Sequence, residues 1–262
     1  MLPDGPAIAA HALSQRASLS IEDTPGMIKF FFNPGPNPMK VALLLEELGL
    51  PYETVPVDMR KGEQHLPGYL AINPNAKVPA LVDGDATIFD SNAILLYLAE
   101  KTGRFLPPAS PSSRAQLLSW LMFIATGVGP YSGQSVYFRN FTPEPNPAAL
   151  NRYDFEAERH WRILDQRLAD RPYVLGEDYT IADMALWGWA RMIPGIFGGE
   201  DAWSRFPHVR RLLDQISARP AGVAAEALKT RFTFKKEMDE DARRQMFPQL
   251  ARLHGGSPAG PA

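Results

Sequence analysis

The spacing of apolar residues changes character near residue 108. Before that point, short apolar runs alternate with helical stretches; after it, the spacing is helical throughout. Residues 27–32 form an apolar, aromatic run ending at Asn33-Pro34, which predicts a strand. Residues 38–48 have helical spacing, with Pro38 near the first turn and Gly49 at the end, where helices commonly stop. Residues 52–57 predict a second strand, so strand, helix and strand make a βαβ unit with parallel strands. Residues 61–71 predict a polar loop with room for one short helix. Residues 79–82 and 87–89 predict a hairpin around Asp83-Gly84-Asp85, and residues 91–102 a helix closing at Gly103.

The order βαβ, then ββα, is that of a thioredoxin-like domain, ending near Leu106-Pro107-Pro108. A linker rich in Pro and Ser follows, and then helices are predicted at 114–126, 147–169, 180–191, 209–218 and 221–228. Residues 131–147 are aromatic and broken by proline, and read as a loop or a bent helix. Thr180 and Asp183 form a capping box, a helix-start device with no chemistry of its own. A last helix is predicted at 237–253. The resulting division is a flexible arm (1–26), a thioredoxin-like domain (27–107), an all-helical domain (108–236) and a C-terminal helix with a disordered tail (237–262).

Composition narrows the chemistry. With 27 basic and 29 acidic side chains the net charge is −2, so no basic excess points to nucleic acid or an anionic membrane. No apolar run reaches the length of a membrane span, and the first residues lack the charge and apolar core of a secretory signal. There are no cysteines, which excludes disulfides, thiolate metal sites and a cysteine nucleophile, and suits a reducing cytoplasm. The five His, at 11, 65, 160, 208 and 254, are scattered, and no metal is expected. Gly127-Val128-Gly129-Pro130 lacks a preceding strand, which disfavours a dinucleotide loop, and no Gly-x-Ser-x-Gly elbow is present.

The candidate chemistry lies in Asn75-Ala76-Lys77-Val78-Pro79-Ala80-Leu81-Val82-Asp83 and Asp90-Ser91-Asn92. Pro79 cannot donate to a sheet ladder, so the strand entrance is an edge position or a cis turn. A cis turn would aim the N–H and C=O of Val78 outward, where an extended peptide could pair with them. Asp90-Ser91 opens an apolar helical run, and a helix start offers free N–H groups to an anion. One stretch therefore offers a backbone clamp for a peptide and, beside it, a place for a carboxylate.

Asn-x-Lys-Val-Pro-Ala-Leu-Val-Asp followed by Asp-Ser-Asn-Ala-Ile-Leu-x-Tyr-Leu-Ala-Glu resembles the glutathione site of the glutathione transferase family. The resemblance runs from about Met27 to about Phe232. It is nearest the bacterial Nu class and the yeast prion-type nitrogen regulator, through Pro34-Gly35-Pro36-Asn37, Lys61-Gly62-Glu63-Gln64 and Gly127-Val128-Gly129-Pro130. It implies an α/β thioredoxin-like N-terminal domain plus an all-α C-terminal domain, a homodimer, and glutathione, reduced or as its disulfide, as the bound group. It further implies a cis Pro79, with Val78 pairing the cysteinyl residue, Ser91 and the N–H of Asn92 holding the γ-glutamyl carboxylate, and Asp90 taking the ammonium group. Lys77 and Gln64 would reach the glycyl carboxylate or a second glutathione moiety, and Arg152 would reach across the dimer.

Thiol activation in the family comes from donors between the first strand and first helix. The Nu class resembles Thr-Pro-Asn where this chain has Gly35-Pro36-Asn37, so the hydroxyl is missing. Asn37, by side-chain amide and backbone N–H, becomes the main candidate, with Asn33 as a helper, unless Asn37 merely caps the helix. Losing one hydrogen bond to an anion costs about 1.5–3 kcal/mol, or roughly one to two units of thiol pKa. Trp120, Phe123, Tyr131 and Tyr137 are candidates to line a pocket for an electrophile, disulfide or peroxide, although most such aromatics are core. The resemblance implies reduction of disulfide or peroxide bonds by bound glutathione thiolate. A glutathione lyase acting on aryl ethers and a non-catalytic glutathione-binding module remain as alternatives.

Overall fold

The structure, a computed structural model, describes residues 27–250. The predicted arm, 1–26, and the chain from 251 onward lie outside the described residues. Strand β1 (Ile28–Phe32) is buried along its whole length. Phe30 and Phe32 point into the main core, while Phe31 points the other way, against Tyr69 at 5.5 Å between ring centroids. A strand covered on both faces reads as a continuous apolar run, as here. β2 (Tyr52–Pro56) lies parallel to β1, β3 (Ala80–Asp83) antiparallel to β1, and β4 (Ala86–Phe89) antiparallel to β3, giving the order β2-β1-β3-β4.

Helix α1 (Pro36–Leu48) starts with two prolines in its first turn and stops at Gly49 in the left-handed conformation, φ 67°. Every residue from Pro38 to Leu45 is buried, as expected of a helix packed on all sides. α2 (Pro67–Leu70) follows two short 3₁₀ turns, and α3 (Ser91–Thr102) covers the sheet beside α1. The second half is helical: α4 (Pro111–Phe123), α5 (Gly129–Asn140), α6 (Pro147–Arg167), α7 (Ile181–Ala190), α8 (Ile193–Phe197), α9 (Pro207–Ser217), α10 (Pro220–Arg231) and α11 (Glu240–Met246). This is an α/β thioredoxin-like domain followed by an all-α domain.

α7 joins the two halves. All ten of its residues are buried, and its start carries the predicted capping box of Thr180 and Asp183. A Cβ at Gly188 would stand 2.5 Å from the Pro36 carbonyl oxygen and 2.5 Å from Cγ of Lys40. Only a residue without a side chain lets the start of α1 approach α7 this closely.

Three sequence expectations change. Of residues 131–147, those to Asn140 belong to α5 and 141–146 lie outside any helix, so the stretch is a helix followed by a loop. A π-helical stretch, Ile124–Val128, joins α4 to α5 just before Pro130. Its wider turn accommodates a proline whose ring would crowd the carbonyl four residues back. A short helix, α8, was not anticipated. The helix expected at 237–253 is confined to Glu240–Met246. Ahead of it the chain runs extended, because its backbone polar groups bond to other elements instead of to one another. Lys235 N–H donates to Asp58 Oδ2 at 2.7 Å, and Arg60 donates to the carbonyls of Lys235 and Lys236.

Candidate functional site

Three segments meet at one end of the sheet. Phe31 pairs with Ala80, and Ala80 with Phe89. The chain leaving β1 at Asn33, the chain entering β3 at Val78 and the chain leaving β4 at Asp90 therefore share that end.

The turn before β3 contains a cis Val78–Pro79 bond, one of the two options the sequence left open. Two side chains hold it from behind. The Tyr69 hydroxyl donates to the Lys77 carbonyl at 2.5 Å, and Asn73 Nδ2 donates to the same oxygen at 2.6 Å. Burial raises the Tyr69 pKa, which keeps the hydroxyl a donor. No backbone partner among the described residues engages the N–H or C=O of Val78. The Lys77 side chain is exposed at the rim.

The start of α3 differs from expectation in one respect. Asp90, with φ 73°, is the N-cap: its Oδ1 accepts from Asn92 N–H at 2.8 Å and Ala93 N–H at 3.2 Å. The Asn92 N–H expected to hold a carboxylate is therefore already bonded to Asp90, because a cap residue satisfies the second and third orphan donors itself. Ser91 retains its own N–H and hydroxyl. Lys40 Nζ lies behind both residues, donating to Ser91 Oγ at 3.3 Å and Asn92 Oδ1 at 3.5 Å. Sequence reasoning missed Lys40. Its one signal was a charge inside the apolar run Met39 to Leu45.

In the segment between β1 and α1, Gly35 is the N-cap, with ordinary backbone angles of φ −70° and ψ 166° and no side-chain cap bond. Asn37 is thus not the cap but sits inside the first turn, since α1 begins at Pro36, two residues earlier than predicted. Its Oδ1 accepts from the indole N–H of Trp189 at 2.9 Å. An indole can only donate, so the amide oxygen faces Trp189 and the NH₂ faces away. Pro36 and Pro38 have no N–H, and Met39 N–H bonds to the Gly35 carbonyl at 3.2 Å. That leaves the Asn37 N–H as the free donor of this turn among the described residues. Asn33 Nδ2 donates to the Val57 carbonyl at 3.3 Å, which occupies part of the predicted helper. Trp189, like Lys40, is a long-range contribution from packing that local sequence did not reveal.

Beside Asn33 and Pro34 opens a cavity of about 540 Å³, whose walls include Asp58, Met59 and Arg60 on one side and Lys229, Phe232, Phe234, Lys235, Lys236 and Met246 on the other. None of Trp120, Phe123, Tyr131 and Tyr137 lines it. Trp120 stacks edge-on with Phe123 and carries Arg167 over its ring, Phe123 and Tyr131 both pack on His160, and Tyr137 packs on Phe138 and Phe247. Those rings pack on one another and stay half-buried, and the segment after α10 supplies the aromatics of the cavity. Gln64 is also redirected: its Nε2 donates to the Gln245 carbonyl at 3.1 Å, and its buried Oε1 has no partner. Arg152 lies on the exposed face of α6, paired with Glu156 at 2.8 Å, and does not join the site within one chain.

Residues 26–100 match the family model for the glutathione S-transferase N-terminal domain, and residues 147–215 match that for its C-terminal domain. The disulfide-bond oxidoreductase YfcG of Escherichia coli is 40% identical over 209 residues, covering 74% of this chain and 92% of the relative. A glutathione transferase family member from Pseudomonas fluorescens, solved with two glutathione bound, is 37% identical with a TM-score of 0.74, covering 82% of this chain and 97% of that one. The glutathione transferase URE2P6 from Phanerochaete chrysosporium, in complex with oxidized glutathione, is 33% identical with a TM-score of 0.73, covering 79% and 97%.

Proposed function

The chain belongs to the glutathione S-transferase family, and from that premise we propose that it is a glutathione-dependent disulfide reductase. The observation that carries the proposal is the convergence at one sheet end of an unengaged Val78 main chain, the Ser91 helix start and the free donors of Asn37. Glutathione supplies the thiol that this cysteine-free chain lacks. Val78 would pair with its cysteinyl residue, Ser91 would bind its γ-glutamyl carboxylate, and the free oxygen of Asp90 would take the ammonium. The sulfur would then lie near the start of α1. There the Asn37 N–H and NH₂ stabilise the thiolate, helped by the partial positive charge of the helix terminus.

The cavity beside Asn33 suits the second half of a disulfide. Arg60 and Lys236, which pair with no carboxylate among the described residues, border it and would attract the carboxylates of a second glutathione. The thiolate attacks one sulfur of the substrate disulfide, a new S–S bond forms, and the other sulfur leaves as thiolate. A homodimer is proposed as well: Arg152, Phe155 (61% exposed) and Met122 (46% exposed) give α6 and α4 an exposed face for a second copy. Sedimentation at two concentrations checks this, and a monomer at both would remove Arg152 from the site.

A panel of glutathione-dependent disulfide reduction, peroxide reduction, aryl-halide conjugation and aryl-ether cleavage tests the activity. Disulfide reduction is expected to be fastest; ether cleavage as the leading activity would make the protein a lyase instead.

The glycine at the helix cap favours a second reading, a binding module with little catalysis. Gly35→Thr separates the two. A Cβ at Gly35 meets nothing closer than Asn33 Oδ1 at 3.7 Å and Pro38 Cδ at 3.8 Å, ordinary contacts, and the backbone angles there are ones any residue adopts. Its hydroxyl is expected to lower the bound thiol pKa by roughly one unit and to raise the reduction rate near neutral pH by about 3- to 10-fold. A rate that starts at zero and stays there would favour the binding module.

A further inference from the structure

We propose that Lys40 is a positioning residue: a buried countercharge that acts through the Ser91 hydroxyl to select ligands carrying an α-carboxylate at the start of α3. The inference rests on the glutathione reading and deepens it by naming what recognises the γ-glutamyl end. Lys40 is 1% exposed. Its two hydrogen-bond acceptors, Ser91 Oγ and Asn92 Oδ1, are both neutral, and no carboxylate pairs with it among the described residues. Its stem lies against Gly188, a contact that a methionine of similar length would make without burying a charge. Removing an ammonium from water without an anion to pair it is costly, and the group responds by losing its proton more readily. Burial lowers the Lys40 pKa to about 7, and the charge of Asp90 offsets this in part.

An anion at Ser91 would relieve this cost. Because Lys40 donates to Ser91 Oγ, the serine's own O–H is left to point away from the lysine, toward an arriving carboxylate. The unpaired Ser91 N–H and the positive end of α3 act in the same direction. Asp90 stands one residue earlier, with its side chain exposed and its Oδ1 engaged by backbone donors, so its second oxygen can face an ammonium group. The pair of opposite charges, one buried and one exposed, matches the zwitterionic end of an α-amino acid.

Calorimetry with two thiol-blocked ligands tests this: S-methylglutathione, and the same peptide with 4-aminobutanoyl in place of γ-glutamyl, which lacks only the α-carboxylate. The wild type is expected to prefer S-methylglutathione by about 30-fold, the size of a hydrogen-bonded charge contact. Lys40→Met is expected to reduce that preference to about 3-fold or less while leaving affinity for the decarboxylated ligand unchanged within about 3-fold. A purely structural lysine would lower both affinities together, and an unchanged preference in Lys40→Met overturns the proposal.

The wild type gives an independent check that needs no folded variant. The charged group acting on Lys40 is Asp90, the N-cap of α3, and α7 meets it with Gly188. With the lysine losing its proton near neutrality, the preference is expected to fall about tenfold from pH 6 to pH 8. A flat preference contradicts it. Failure of the wild type to bind S-methylglutathione at all would instead overturn the glutathione reading on which the proposal rests.

Discussion

Asn37→Ala is expected to slow glutathione-dependent disulfide reduction by about 10- to 100-fold near neutral pH, the factor carried by a hydrogen bond to a developing anion. The KM for glutathione is expected to change by no more than about 3-fold, since the clamp at Val78 and the contact at Ser91 are untouched. The structure supplies the control. Asn37 Oδ1 is the acceptor for Trp189 N–H, so alanine also strips a nearly buried indole of its partner. Asn37→Asp keeps that acceptor but turns the donor facing the sulfur into an oxygen. If the NH₂ stabilises thiolate, Asn37→Asp is at least as slow as Asn37→Ala although its Trp189 contact is intact. If Asn37 only anchors α1 to α7, Asn37→Asp retains activity and Trp189→Phe loses it. That second pattern would remove Asn37 from the chemistry.

Asp183→Ala is expected to destabilise the protein by about 3–5 kcal/mol, because three buried donors lose their shared acceptor at once. At about 2–4 °C per kcal/mol for a chain of this size, the melting temperature falls by roughly 6–20 °C. Asp183 accepts from Val174 N–H at 2.7 Å, Thr180 N–H at 2.9 Å and Thr180 Oγ at 3.2 Å, all of them buried. The loss is therefore larger than that of an exposed cap, and a shift below about 2 °C would show that water or backbone movement replaces the carboxylate. The same group shapes the pH dependence. Burial pushes the Asp183 carboxyl up to about 7, against the pull of its Val174 and Thr180 donors. In the unfolded chain it titrates near 3.9. Between those values the folded state binds the proton more tightly, so stability falls as pH rises from about 4 to about 7. Asp183→Asn, which cannot ionise, is expected to lack that component of the slope.

Local signals marked the thioredoxin-like half well. Gly49 and Gly103 both stand in the left-handed conformation that ends α1 and α3, and the hairpin turns at Gly84, φ 62°. The Thr180 and Asp183 box located α7 for the same reason: a cap is written in residues three apart. Contributions made across the fold escaped notice. Lys40 and Trp189 reach their places only because Gly188 lets two helices touch, a contact between residues about 150 positions apart. Gln64 is held by the Gln245 carbonyl, 181 positions away, and by its neighbour His65, and the first of these contacts has no signal in the local sequence. The aromatics of the second half were only candidates to face a ligand against a core reading, and the cavity beside Asn33 takes Phe232 and Phe234 from a stretch that carries no periodic signal.

Titration of the thiol of bound glutathione, followed by thiolate absorbance under saturating protein, bears most directly on the proposal that one sheet end both grips the tripeptide and stabilises its sulfur. The bound thiol is expected to titrate about one to two units below the usual thiol value near 8.5, and to move back toward it in Asn37→Ala. A bound thiol left at its ordinary value in the wild type, or no saturable binding at millimolar ligand, would contradict it.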